Sequence, residues 1–148
     1  MLQPHDIIRL EDEAVILLDQ TRLPGERVER RCTTVPELIE LTRRNPKKYF
    51  YGSSGAGTTP HLSGELFKLL ANVDVIHIPY RGTAPAMVDL LGGQVHLLFD
   101  NIPGALAQYR PGKVKGFAVT SAARSPIVPE IPSLAEFLPG YDISSWTA

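Results

Sequence analysis

Cysteine is nearly absent. Cys32 stands alone in 148 residues, which excludes an internal disulfide and any cysteine-rich zinc site. Long apolar runs are missing as well, and nothing approaches the ~20 consecutive apolar residues that a membrane-spanning helix needs. Neither sign of charge is in excess: 15 Lys and Arg stand against 16 Asp and Glu, for a net charge of −1 at pH 7. That balance offers no basic footprint to nucleic acid or to an anionic membrane. The opening Met1-Leu-Gln-Pro-His-Asp6 has neither the cationic start nor the apolar stretch of an export signal, so the chain as written is expected to remain cytoplasmic. What is present is ordinary for a folded domain. With 43% apolar and 21% charged residues, disorder and fibrous repeats are excluded. A chain of this length is expected to fold as one domain that buries roughly two-thirds of its unfolded surface.

The averages conceal a break. Residues 1–50 carry 18 of the 31 charges, whereas 11 of the 12 glycines follow Tyr51. In the charged part, the apolar runs 7–10 and 14–18 flank Glu11-Asp-Glu13 and read as a β-hairpin. Arg22-Leu-Pro-Gly25 has Pro and Gly where a type II turn wants them, and residues 26–31 alternate weakly as an edge strand. Its Arg27, Arg30 and Arg31 read as a solvated face balanced by Glu26 and Glu29, with an anion patch as the other reading. Thr34-Val-Pro-Glu37 is a capping box that opens a short helix with Val35, Leu38, Ile39 and Thr42 on one face, ended by Asn45-Pro46.

From Lys48 onward one phrase recurs: a short strand, a small polar loop, then a proline that opens an apolar-faced helix. The strands are 49–51, 73–78 and 95–99; the loops are 52–59, 79–84 and 100–102; the prolines are Pro60, Pro85 and Pro103. Gly57-Thr-Thr-Pro60 even returns as Gly82-Thr-Ala-Pro85. The expected apolar faces are Leu62, Leu66, Phe67 and Leu70 in the first helix and Met87, Val88 and Leu91 in the second. Residues 113–119 supply a fourth strand, and Ser133-Leu-Ala-Glu136 caps a last short helix. Alternation of this kind predicts an α/β fold, a mostly parallel sheet flanked by helices, whose three loops converge on the carboxyl edge.

The first loop is the richest chemically. Gly52, Gly55 and Gly57 let the backbone approach a guest, Ser53, Ser54, Thr58 and Thr59 bring hydroxyls, and a helix N-terminus points at the same place. Tyr80, Arg81, Gly82 and Thr83 form the second loop, and Asp100-Asn101 the third. Each also has a plain reading: a turn with its N-cap, an Arg81–Asp100 ion pair, an Asx turn. Because Arg81 is the only cation in these loops, a carboxylate held by neutral donors suits them better than a polyphosphate. Enzyme motifs fail on inspection. Thr58 stands where a P-loop requires lysine, the dinucleotide fingerprint lacks its third glycine, and Gly-Ser-Ser-Gly is no nucleophile elbow. His61, His77 and His96 lack metal-ligand spacing and read as polar-edge residues, and no base–nucleophile pair is visible. No cofactor or metal is expected.

Two resemblances follow from longer strings. Leu10-Glu-Asp-Glu-Ala-Val-Ile-Leu-Leu-Asp-Gln-Thr-Arg-Leu-Pro-Gly25 resembles the opening hairpin of methylthioribose-1-phosphate isomerases but includes none of their catalytic residues, so it implies no isomerase activity. Tyr51-Gly-Ser-Ser-Gly-Ala-Gly-Thr-Thr-Pro-His-Leu-Ser-Gly-Glu-Leu-Phe67 looks like the substrate-binding proteins of tripartite tricarboxylate transporters, the Bug or TctC family. The likeness continues through His77-Ile-Pro-Tyr-Arg-Gly-Thr-Ala-Pro-Ala86, Asp89-Leu-Leu-Gly-Gly-Gln-Val95, Phe99-Asp-Asn101, Pro129-Glu-Ile-Pro132 and Pro139-Gly-Tyr-Asp-Ile-Ser-Ser-Trp146. It implies one lobe, the second, of a two-lobed periplasmic-binding-protein-like (type II) fold over residues 33–148, preceded by a charged β-hairpin extension of separate origin over 1–32. It also implies a non-catalytic receptor that works in the periplasm and passes small carboxylates (dicarboxylates, tricarboxylates or acidic amino acids) to a membrane permease. Ligand contact would fall to the same three loops. Two other readings stay open at this point: a truncated or fused product that folds without a function, and an enzyme acting on an anionic substrate.

Overall fold

The computed structural model describes residues 14–19, 34–92 and 94–143. The expected turn at 22–25, the edge strand with its three arginines and Cys32 lie outside these residues, as does Trp146. Five strands form one sheet: β1 (Ala14–Asp19), β2 (Phe50–Ser53), β3 (Ile76–Pro79), β4 (Leu97–Asn101) and β5 (Val114–Val119), in the order β3-β2-β4-β1-β5. The helices are α1 (Val35–Arg44), α2 (Thr59–Ala71), α3 (Thr83–Leu91) and α4 (Ile102–Tyr109), followed by a single 3-10 turn at Leu134–Glu136.

β2 pairs in parallel with both β3 and β4, while β1 runs antiparallel to β4 on one edge and to β5 on the other. Four strands therefore share one direction, the mostly parallel sheet that the alternation predicts. Both edges of β1 are occupied, Ala14 opposite Asn101 and Val15 opposite Val119, and residues 7–10, the other arm of the expected hairpin, lie outside the described residues. The physical reason is legible in hindsight. Ala14-Val-Ile-Leu-Leu18 is continuous rather than alternating, the pattern of an interior strand rather than of a half-exposed hairpin arm.

Helices cover both faces. Leu97 and Phe99 look toward one core with Val35, Leu38, Tyr51, Phe67 and Tyr141, while Leu98 between them looks toward a second core with Ala86, Leu90, Ile102 and Ala105. All are buried. α1 forms as its sequence demands: the Thr34 hydroxyl accepts the Glu37 N–H at 3.4 Å, and Val35, Leu38 and Thr42 are its buried stripe. Two apolar faces differ from expectation. α2 buries Pro60, Ser63, Gly64, Phe67 and Ala71 and leaves Leu62 at 54% and Leu70 at 39% exposure; α3 buries Ala86, Met87 and Leu90 and exposes Val88. Small residues let each helix lie close against the sheet, and the larger ones then point away.

The segment after β5 folds back onto this frame. Val119 N–H donates to the Pro132 carbonyl at 2.8 Å, and Ser133 with Glu136 completes a reciprocal capping box. Tyr141 is buried, and its hydroxyl donates to the Ser63 carbonyl of α2 at 2.7 Å. Tyr141→Phe removes that donor from a dry site and leaves a buried carbonyl short of a partner. The expected loss is about 1–2 kcal/mol in urea unfolding, and an unchanged midpoint would show the bond to be idle.

Candidate functional site

β2 lies between β3 and β4, and the chain visits β3 before crossing over β2 to reach β4. The connections therefore diverge at the carboxyl ends of β2 and β4, the place where open parallel sheets bind ligands. Three helix N-termini meet the sheet along that edge: α2 after β2, α3 after β3 and α4 directly after β4. None of the three has a side-chain cap, in contrast to α1 and the 3-10 turn. The first N–H groups of a helix have no partner within it. They are the donors of this edge, backed by the positive ends of three helix dipoles.

The loops are tied together by their backbones. Beyond the strands, Tyr80 N–H donates to the Ser53 carbonyl at 3.1 Å and Gly82 N–H to the Ser54 carbonyl at 3.2 Å. Gly57 and Gly82 have φ of 80° and 103°, where a side chain would be strained.

Most of the hydroxyls expected to meet a ligand serve the loop itself. Ser53 is fully buried; its Oγ lies 2.6 Å from His77 Nε2 and accepts the Gly55 N–H at 3.2 Å. Thr58 Oγ1 donates to the Gly55 carbonyl at 2.6 Å and accepts from Ser54 Oγ at 3.4 Å. Thr59 and Thr83 occupy the first positions of α2 and α3, both partly exposed. Tyr80 lays its ring over Gly52, where a Cβ would come within 3.1 Å, and its hydroxyl donates to Asp89 Oδ2 at 2.7 Å. Burial and the Asp89 partner push that phenol up to about 12.

Arg81 is exposed, and among the described residues no ion pair joins it to Asp100. Asp100 is instead buried at the end of β4. Its Oδ1 accepts the Asn101 N–H at 2.8 Å, while Oδ2 has no partner among the described residues. Burial raises its carboxyl to about 6 against the pull of that N–H. The carboxyl group faces the starts of α3 and α4: a Cβ on Gly104 would lie 3.7 Å from Oδ2 and 4.0 Å from Thr83 Oγ1. Asn101 sits partly exposed at the cap position of α4.

Sequence reasoning missed His61 and His77. The two rings stack with centroids 4.0 Å apart and planes 8° apart, and His61 Nδ1 accepts the Gly57 N–H at 2.9 Å. The absence of a base–nucleophile pair is corrected too, since Ser53 and His77 stand at such a distance. Ser53 is nevertheless wholly enclosed with its oxygen engaged by the loop, so the pair shapes the backbone and has no access to a substrate carbonyl. The placement follows from the β2–β3 register, which sequence spacing does not fix: Tyr51 pairs with His77, so Ser53, two residues on, shares their face.

Among the described residues no three His, Cys, Asp or Glu side chains come together as a metal site, and no helix is long and apolar enough to cross a membrane. An open groove of about 590 Å³ lined by Tyr109, Arg110, Lys115 and Glu130 lies at the amino end of β5, the opposite edge of the sheet.

Residues 6–148 match the family described as the tripartite tricarboxylate transporter family receptor, TctC. The UPF0065 protein in the tcbD–tcbE intergenic region of Pseudomonas sp. (strain P51) is 36% identical over 118 residues, 78% of this chain and 35% of that protein. The R. palustris protein Rpa4515, solved with adipate, superposes with a TM-score of 0.81 at 38% identity, over 90% of this chain and 42% of that one. MatC (Rpa3494) from Rhodopseudomonas palustris, solved with bound malate, gives 0.75 at 27% identity over 88% and 42%. The chain thus spans about a third of the length of the curated relative and 42% of each solved one.

Proposed function

Because the chain belongs to the tripartite tricarboxylate transporter receptor family, we propose that its glycine-loop edge holds one carboxylate of a small di- or tricarboxylate or acidic amino acid. The observation that carries the reading is the convergence of three uncapped helix N-termini at one sheet edge, with Arg81 as the only cation in the loops. Backbone N–H groups and dipole ends satisfy a carboxylate without a full counter-charge, which permits release as readily as capture. The solved relatives carry adipate and malate, and both are dicarboxylates. In this reading the lobe is half of a clamp. The other half excludes water over the bound anion, and the closed receptor delivers its load to a membrane permease from the periplasm.

By itself the lobe binds at roughly millimolar strength, since only part of the carboxylate's hydrogen bonding is available. Titration of ¹⁵N-labelled protein with adipate and malate is expected to move the amides of Gly55, Gly57, Thr59, Thr83 and Ile102 together. Chloride at matched ionic strength is the control. If those amides stay fixed while both acids exceed about tenfold the expected dissociation constant, the reading fails.

A further inference from the structure

Two histidines, neither of them counted among the ligand-facing groups above, determine the shape of the glycine loop. His77, on β3 beside Tyr51, holds Ser53 Oγ at 2.6 Å, and that oxygen holds the Gly55 N–H. His61, in the first turn of α2, accepts the Gly57 N–H on Nδ1. An accepting Nδ1 carries no hydrogen, so the neutral ring bears its proton on Nε2, which lies 3.5 Å from Glu65 Oε1. A charged imidazole has N–H on both nitrogens and would set one donor against another at Gly57. The observed loop and a protonated His61 therefore exclude each other. The flush stack adds a second constraint, because two cations at 4.0 Å repel.

We propose that His61 and His77 are positioning residues and that the glycine loop keeps its ligand-receiving shape only while His61 is neutral, so that acidification releases the loop. The consequence for the ligand rests on the carboxylate reading above; the loop's own response does not. The surroundings agree for His77, whose pKa is lowered by burial first, then by His61 and by Lys68, with Glu65 opposing. Glu65 is itself drawn toward Lys68 at 3.3 Å. On the sheet side the neighbours are Tyr51, 4.9 Å from His77 ring to ring, with Phe99 and the buried Tyr141 behind it. Burial holds the Tyr51 phenol above its ordinary range, so it stays neutral throughout.

Amide hydrogen exchange at Gly57, corrected for the intrinsic pH dependence, tests this on acidification from about pH 8 to about pH 5. The amides of Leu97 and Phe99 report that the sheet stays folded. Wild-type Gly57 is expected to lose about tenfold in protection on acidification, what one lost hydrogen bond allows. His61→Phe keeps a flat ring but no acceptor and should leave Gly57 unprotected at both ends. His61→Asn restores an acceptor that does not titrate and should protect Gly57 at both. Adipate binding by Asp100→Asn, in which the buried acid beside the site cannot titrate, should weaken in step with the loss of protection. Equal Gly57 protection across the range, unchanged protection in His61→Phe, or adipate binding by Asp100→Asn that tightens on acidification would overturn the proposal. If adipate shifts nothing at the alkaline end, the carboxylate reading fails, and the exchange at Gly57 still decides the role of the histidines.

Discussion

Gly64→Ala is expected to destabilise the lobe by about 1–3 kcal/mol, and Gly64→Val to prevent it from folding. The glycine lies on the face of α2 that meets β2, and a Cβ there would overlap Cε2 and Cζ of Tyr51 and come within 2.8 Å of its hydroxyl. A flexible neighbour would give way, but Tyr51 is not one. It is completely buried, wedged edge-on against Phe99 at 5.4 Å and tilted on His77 at 4.9 Å. Its hydroxyl also reaches the His61 carbonyl at 3.4 Å. Helix propensity works the other way, since alanine in a helix interior is favoured over glycine by about 1 kcal/mol. The steric term is larger because neither the ring nor the helix backbone has anywhere to go. Urea unfolding of Gly64→Ala should show a lower midpoint at unchanged slope; a stabilised variant would mean that α2 lies farther from the sheet than described. The loop should respond as well. Any shift of Tyr51 moves His61, and with it the Gly57 anchor, so the amides of residues 55–58 should move in Gly64→Ala before the core unfolds.

The same glycine shows what the sequence could and could not convey. Caps and prolines are local chemistry, so the Thr34 cap, the starts near Pro60, Pro85 and Pro103 and the Ser133 cap all appear where the residues place them. Helix faces are not local. Apolar periodicity selects Leu62, Leu66, Phe67 and Leu70, yet close packing on Tyr51 adds Ser63, Gly64 and Ala71 beside Phe67, and Leu62 ends 54% exposed. Periodicity measures hydrophobicity, whereas a helix laid tightly on a sheet needs small volume at the contact. The site divides along the same line. Glycine and proline mark the loops, and the convergence of their helix starts follows from the parallel alternation. The histidine stack depends on a β2–β3 register and on His61 folding back over it, a meeting of residues 53, 61 and 77 that no spacing rule contains. β1 is the extreme case. Its apolar run is visible, but its place between β4 and β5 depends on strands some 80 or more residues later in the chain.

Asp100→Asn is expected to stabilise the lobe at neutral pH and to remove most of the pH dependence of its stability between about pH 4 and pH 6. The carboxyl is buried at the end of β4, one oxygen bonded to the Asn101 N–H and the other without a partner among the described residues. Burial lifts it from an ordinary value near 3.8 to about 6. The folded state therefore holds a proton that the unfolded state has already released across that window, and stability falls as pH rises through it. Above pH 6 the deficit is complete, about 3 kcal/mol for a shift of this size at 1.36 kcal/mol per unit. Asparagine keeps an acceptor for the Asn101 N–H and carries no charge to desolvate. Its variant should gain about 1–3 kcal/mol at pH 8, little or nothing at pH 4, and lose the decline that the wild type shows as pH rises from about 4 to about 6. Urea midpoints at a series of pH values decide the matter; parallel profiles for the two proteins would show that Asp100 is not the titrating group. A buried acid that costs stability at neutral pH invites a functional account, because unsatisfied buried groups concentrate where a site is built. Asp100 lies behind the starts of α3 and α4, at the edge proposed to receive a carboxylate. A second negative charge there weakens an anion's hold without abolishing it. Asp100→Asn should therefore also tighten adipate binding at pH 8, and the two proteins should converge near pH 5, where the native carboxyl is mostly protonated.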